Sequence, residues 1–139
     1  IKKICKKDGR KFYLSNNLKM AINLNLDGIY LPSFNKKLDV GKINVKKKFI
    51  IMGSAHNIKE IRIKEKQGVK LIFISPLFKT KKNKSFLDII KFNYLASQTT
   101  KKVIALGGIT SKNLNKLKMV NAFGFAGISY FKNNYNIRI

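Results

Sequence analysis

Residues 103–114 read VIALGGITSKNL. An apolar run ends in two glycines, small hydroxyl residues follow, and a segment with helical spacing comes next. This is a strand that passes through a tight turn into a helix. Two readings of the turn are open. Gly107 and Gly108 let the backbone come close to a ligand, and N–H groups at a helix start attract anions. The same two residues equally suit a turn required only for packing. The choice depends on how often the rest of the chain repeats this unit.

It repeats often. Short, nearly continuous apolar runs stand at 12–15 (FYLS), 28–31 (GIYL), 49–53 (FIIMG), 71–75 (LIFIS), 103–106 (VIAL) and 125–129 (FAGIS). Parallel strands covered on both faces read this way. Between them, 58–66, 86–95 and 114–120 carry apolar residues at helical spacing. Asn57, Ser85 and Thr110 or Ser111 are suited to cap these helices, and Gly68 to end the first of them. DGIYLP, QGVKLIFISP and AFGFAGIS each place a glycine just before a strand. Strand–helix–strand units of this kind predict a parallel α/β architecture. Six strands fall short of the eight in a closed (β/α)₈ barrel, whose usual length is about 250 residues.

The 139 residues fit one domain, and a hydrophobic fraction of 45 % predicts a packed core. No apolar stretch approaches the roughly 20 residues that span a bilayer. The first residues are basic without an apolar core behind them, so the expected location is the cytoplasm. Cys5 is the only cysteine. It excludes an internal disulfide and a cysteine-based metal site, and is expected to be a small buried residue. Thirty Lys and Arg against six Asp and Glu give a formal charge of +24. Nucleic-acid binding is one reading of that charge. Arginine, however, occurs only at Arg10, Arg62 and Arg138, and the lysines are scattered. Attraction to phosphorylated small molecules is the more modest consequence.

From 12 to 131 the chain resembles the thiamine-phosphate synthase family, which includes the thiazole tautomerases. DGIYLP, MGSAHNIKE, GVKLIFISPLFKTKKNK and VIALGGITSKNL follow one another at the family's spacing. The resemblance implies an incomplete TIM barrel whose six strands correspond to strands three to eight. On this division residues 1–10 end the preceding helix, 11–131 form the barrel portion and 132–139 a tail. The chain is then a shortened homologue or a piece of a longer product, and its two open edges call for a tail, a partner chain or a homo-oligomer.

The family joins a pyrimidine diphosphate to a thiazole phosphate and expels pyrophosphate. Carried over by motif, Gly107, Gly108, Ile128 and Ser129 would hold the thiazole phosphate. Ser54 and His56 would meet the pyrimidine diphosphate, with a helix-capping role equally open to His56. Thr80 with Lys82 or Lys84 would neutralise the leaving group, unless that lysine-rich loop is only solvated surface. Pro76 stands where tautomerases carry a catalytic histidine, which favours the synthase branch. The family's two Mg²⁺-binding aspartates fall at Asn16 and Asn35, so any Mg²⁺ is held weakly. Asp39 is nearby but out of register. Alternatives are a non-catalytic relative that binds a phosphorylated ligand or pairs with another chain, and a basic nucleic-acid binder.

Overall fold

A computed structural model describes residues 1–43, 45–80 and 85–134. Each apolar run becomes a short strand: β1 (Tyr13–Ser15), β2 (Gly28–Leu31), β3 (Ile50–Ala55), β4 (Leu71–Ile74), β5 (Lys102–Leu106) and β6 (Gly124–Ala126). They form one sheet in chain order, and every neighbouring pair is parallel. Parallel neighbours require a crossover between each pair. The crossovers contain α2 (Leu18–Asn23), α3 (Ile58–Lys66), α4 (Asp88–Ser97) and two 3₁₀ segments, Asp39–Lys42 and Ser111–Met119. Helix α1 (Lys2–Lys7) precedes the sheet and α5 (Ile128–Asn134) follows it. This is the expected open sheet of TIM-barrel type.

The register gives each face its residues. Ile29, Leu31, Ile51, Ala55, Ile72, Ile74, Val103 and Ala105 point to one side and are all buried. They share a core with Ala21, Ile61, Phe92 and Leu95 of the helices. The opposite face carries Tyr13, Tyr30, Ile50, Leu71, Phe73 and Ile104, which are half-buried, around Met52 and Ser54 of the central β3, which are buried. On that face the rings of Tyr30 and Phe73 meet edge-on, with centroids 5.5 Å apart.

Several boundaries differ from the sequence expectation. β3 runs on through Ser54 and Ala55, so Ser54 is a strand residue. β6 stops at Ala126, and Ile128 and Ser129 open α5 instead of ending a strand. Helix α4 starts at Asp88, past the expected Ser85 cap, because Leu87 and Asp88 donate their N–H groups to Pro76 and Leu77 at 2.9 and 3.0 Å. The third helical segment is 3₁₀. Leu114, Leu117 and Val120 recur every three residues, which matches three residues per turn better than 3.6. Helix α2 was not expected, and Cys5 is half-buried on a helix without buried residues. The closing residues 135–139 lie outside the described residues.

One charged residue belongs to the core. Lys64 on α3 is 0 % exposed. Its stem runs over Gly53, where a Cβ would stand 2.7 Å from Lys64 Cδ. Its ammonium donates to the Pro32 and Asn35 carbonyls, each at 2.8 Å, and to Gln67 Oε1 at 2.9 Å. Buried Gln67 donates in turn to the Lys37 and Asn35 carbonyls at 2.8 and 3.1 Å. All three hydrogens of the ammonium are used, which is what makes its burial tolerable.

Burial lowers the Lys64 pKa from its ordinary 10.5 to about 8, against the opposing charge of Glu60. Between these values the unfolded chain holds a proton that the folded chain has released, so stability rises with pH there. Lys64→Met removes that rise. Urea denaturation of both proteins at about pH 7 and about pH 9.5 should show wild type gaining on the variant by on the order of 1 kcal/mol. An unchanged difference would contradict this account of the buried ammonium.

Candidate functional site

Because every strand is parallel, all six carboxyl ends lie at one rim of the sheet. Asn16 follows β1, Asn35 lies in the loop after β2, and Ser54 is the penultimate residue of β3 with His56 just beyond. Thr80 follows β4, Gly107 and Gly108 follow β5, and Ile128 and Ser129 follow β6. The topology thus brings each expected site residue that is described to the same rim. Lys82 and Lys84 lie outside the described residues.

At the rim of β5, Gly107 and Gly108 both take left-handed backbone angles, with φ of +95° and +70°. A Cβ on Gly107 would come within 2.9 Å of Pro76, and one on Gly108 would meet the carbonyls of Phe78 and Lys79. Backbone bonds hold this approach: Leu77 N–H donates to Leu106 O at 2.9 Å and Phe78 N–H to Gly107 O at 3.1 Å. Packing therefore accounts for both glycines, and the same geometry presents a fixed turn to a ligand. Asn113 locks it from behind. Its amide donates to Gly108 O at 2.8 Å, while its oxygen accepts Thr110 N–H at 2.9 Å. Sequence reasoning missed Asn113, although Thr110 with Asn113 three residues on has capping-box spacing.

The neighbouring turn lies alongside. A Cβ on Gly127 would be 3.8 Å from the carbonyl oxygen of Ile109. The start of α5 is held by Phe125, whose ring stacks on Phe131 and meets Tyr130 edge-on, with centroids 5.8 and 5.5 Å apart. Ile128 and Ser129 themselves are exposed.

Ser54 is buried and lies in register with Phe73 on the half-open face. His56 is exposed and joined to a helix cap. Its backbone N–H donates to Glu60 Oε2 at 2.7 Å, and its ring Nδ1 lies 3.0 Å from the same oxygen. Asn57 caps α3 by accepting Glu60 N–H at 2.9 Å. Asn57, not the His56 ring, is the helix cap, and His56 is tied to the first turn only through the Glu60 carboxylate. Thr80 is half-buried at the end of the segment that packs on the glycine turn.

The two asparagines are joined to each other: the Asn35 amide donates to Asn16 Oδ1 at 2.7 Å. Asn35 Oδ1 accepts Lys37 N–H at 3.0 Å and the Gln67 amide at 3.2 Å. A cavity of about 480 Å³ is bordered by both asparagines with Lys19, Lys37 and Asp39 on one side and by apolar side chains, Ile22, Ile29, Leu31 and Val40 among them, on the other. Mg²⁺ prefers a near-octahedral shell of carboxylate, phosphate and water oxygens. Here neutral oxygens already face N–H donors, and no group of three or more His, Cys, Asp or Glu side chains among the described residues could hold a metal. The pair does not fit the ion.

Residues 1–131 match the family model described as thiamine monophosphate synthase. The chain is similar to a thiamine-phosphate synthase of Clostridium perfringens, at 26 % identity over 99 % of this chain and 68 % of the relative. It is also similar to one of Prochlorococcus marinus, at 30 % identity over 84 % of this chain and 34 % of that longer relative. In fold it is similar to a thiamine phosphate pyrophosphorylase from Pyrococcus furiosus, with a TM-score of 0.72 at 18 % identity over 91 % of this chain and 60 % of that one.

The glycine turn yields a direct expectation. Gly108→Ala should destabilise the chain by about 1–3 kcal/mol, the usual range for a strained residue at positive φ. Asn113→Ala should cost about 1 kcal/mol, as the loss of a capping side chain does. Urea denaturation checks both. A Gly108→Ala variant as stable as wild type would show that the turn is not packed as described.

Proposed function

The chain belongs to the thiamine monophosphate synthase family, and on that premise we propose that its rim binds the phosphorylated substrates of thiamine-phosphate synthesis in the cytoplasm. The observation that carries the reading is the placement of the turns after β5 and β6 side by side at one end of adjacent parallel strands. In (β/α)₈ enzymes the loops after the last two strands often form a phosphate site. Gly107, Gly108, Ile128 and Ser129 hold the thiazole phosphate through backbone N–H groups and the Ser129 hydroxyl. Ser54 orients the pyrimidine diphosphate on the half-open face. The bond from the pyrimidine's carbon to the diphosphate breaks, its electron pair leaves with pyrophosphate, and the carbon bonds to the thiazole. Thr80, Lys82 and Lys84 stabilise the leaving charge. The exposed edges of β1 and β6 pair with a partner chain or a second copy.

A second reading is favoured by the bond between Asn16 and Asn35: a relative that binds such ligands without turning them over. Calorimetry with thiamine phosphate, with and without Mg²⁺, separates the two when run beside a turnover assay. Mg²⁺-independent binding with no turnover selects the second reading.

For the first reading, pyrophosphate release is measured with both phosphorylated substrates and Mg²⁺. Gly108→Asp, which puts a carboxylate in the phosphate turn, should lower kcat/KM by roughly a hundredfold, and Thr80→Ala by roughly tenfold. Turnover that survives both substitutions would contradict these roles.

A further inference from the structure

The two longest α-helices differ in charge. Six of the nine residues of α3 are charged, but only two of the ten in α4, Asp88 and Lys91. Helix α4 gives Phe92, Leu95 and Ala96 to the core. Its other side is apolar too: Ile90 is 85 % exposed and Tyr94 58 %. Leu87, Ile90, Lys91 and Tyr94 recur at three- and four-residue spacing and so form one stripe. A helix that is apolar on all sides is one that is covered on all sides. Asn93 adds to the stripe. Its amide donates to Met119 O at 2.9 Å and its oxygen accepts Asn121 N–H at 2.7 Å, which holds the exposed Met119 beside α4.

Between the stripe and the first turn of α3 runs a groove of about 520 Å³. Half-buried Ile58 and Leu87 and buried Leu95 line its depth, and exposed Lys59, Lys91 and Tyr94 line its borders. Its described lining residues include both lysines and no carboxylate.

Charge and shape together select the occupant. A second copy would set Lys59 and Lys91 against their own equivalents, in a chain of formal charge +24, and like charges across an interface cost affinity. An anionic bilayer answers the charge but is broad and flat, whereas this apolar surface is a cleft between two helices. An amphipathic helix answers both. Its apolar face fills such a groove with side chains at i, i+3 or i+4 and i+7, and carboxylates on its flanks meet the lysines. We infer that the groove between α3 and α4 docks an acidic amphipathic helix of another protein. The docking is independent of whether the rim binds phosphate.

The test is fluorescence anisotropy at about 0.15 M salt, where distant charges are screened. The probes are labelled synthetic peptides. One is a helix with leucines at i, i+3, i+4 and i+7 and glutamates on its flanks. The second replaces those glutamates by lysines, and the third scrambles the order of the first. The glutamate helix should bind with a micromolar dissociation constant, at least about tenfold tighter than either other peptide. Ile90→Ser and Tyr94→Ser should each weaken it by about fivefold or more. Lys59→Glu combined with Lys91→Glu should weaken it by about tenfold or more. All four side chains are exposed, so these substitutions leave the core intact. Equal binding of the scrambled peptide would overturn the inference, since charge alone would then account for it. So would the absence of saturable binding, or binding that these variants leave unchanged. Sedimentation of the chain alone and flotation with phosphatidylserine vesicles address the rival occupants. A dimer, or a vesicle-bound chain, that Tyr94→Ser disrupts would likewise overturn the assignment to a partner helix.

Discussion

Parallel pairing in strict chain order is the constraint on which the rest depends. Once β1 to β6 are laid down in that order, each crossover must return to the same starting edge. Every strand then delivers its last residue to the same rim. The side facing the helices becomes the core, and residues such as Ile29, Ile72 and Ile74 are buried there almost completely. The other side carries half-covered aromatic and aliphatic side chains around buried Met52 and Ser54. Residues far apart in the chain, from Asn16 to Ser129, come to one rim of the sheet through backbone topology alone.

Two loops of that rim are fixed by different physics. The turn after β5 is fixed by close approach: glycines at positive φ let the segment after β4 pack backbone against backbone, and Asn113 holds the far side. The loop after β2 is fixed by a buried charge. Lys64 of α3 and Gln67 just past its end reach to carbonyls of Pro32, Asn35 and Lys37, and Gly53 leaves room for the lysine stem. Breaking such a network by removing one member leaves buried acceptors without donors, which is costly in a low-dielectric interior. The position of Asn35, and with it the bond to Asn16, follows from this arrangement.

The fold was legible because buried parallel strands advertise themselves as continuous apolar runs; β2 and α3 begin and end where the pattern predicts. Departures arose where tertiary bonds override local pattern. Leu87 and Asp88 give their N–H groups to the preceding turn, so α4 starts late, and a three-residue spacing that passed for α-helix is 3₁₀. The rim residues could be named from motifs, since glycines, asparagines and hydroxyl residues at strand ends are visible in any sequence. Their partners could not. Nothing local marks Lys64, one of many lysines, as the buried one, nor shows that Asn16 and Asn35, 19 residues apart, share a hydrogen bond.

What remains is whether the two adjacent turns act as one anion site. Nuclear magnetic resonance of the amide groups, titrated with inorganic phosphate, addresses this most directly. The account predicts that the largest shifts cluster on Gly107, Gly108, Gly127 and Ser129, with a common dissociation constant. Shifts spread over scattered lysine-bearing segments, without saturation at the two turns, would contradict it.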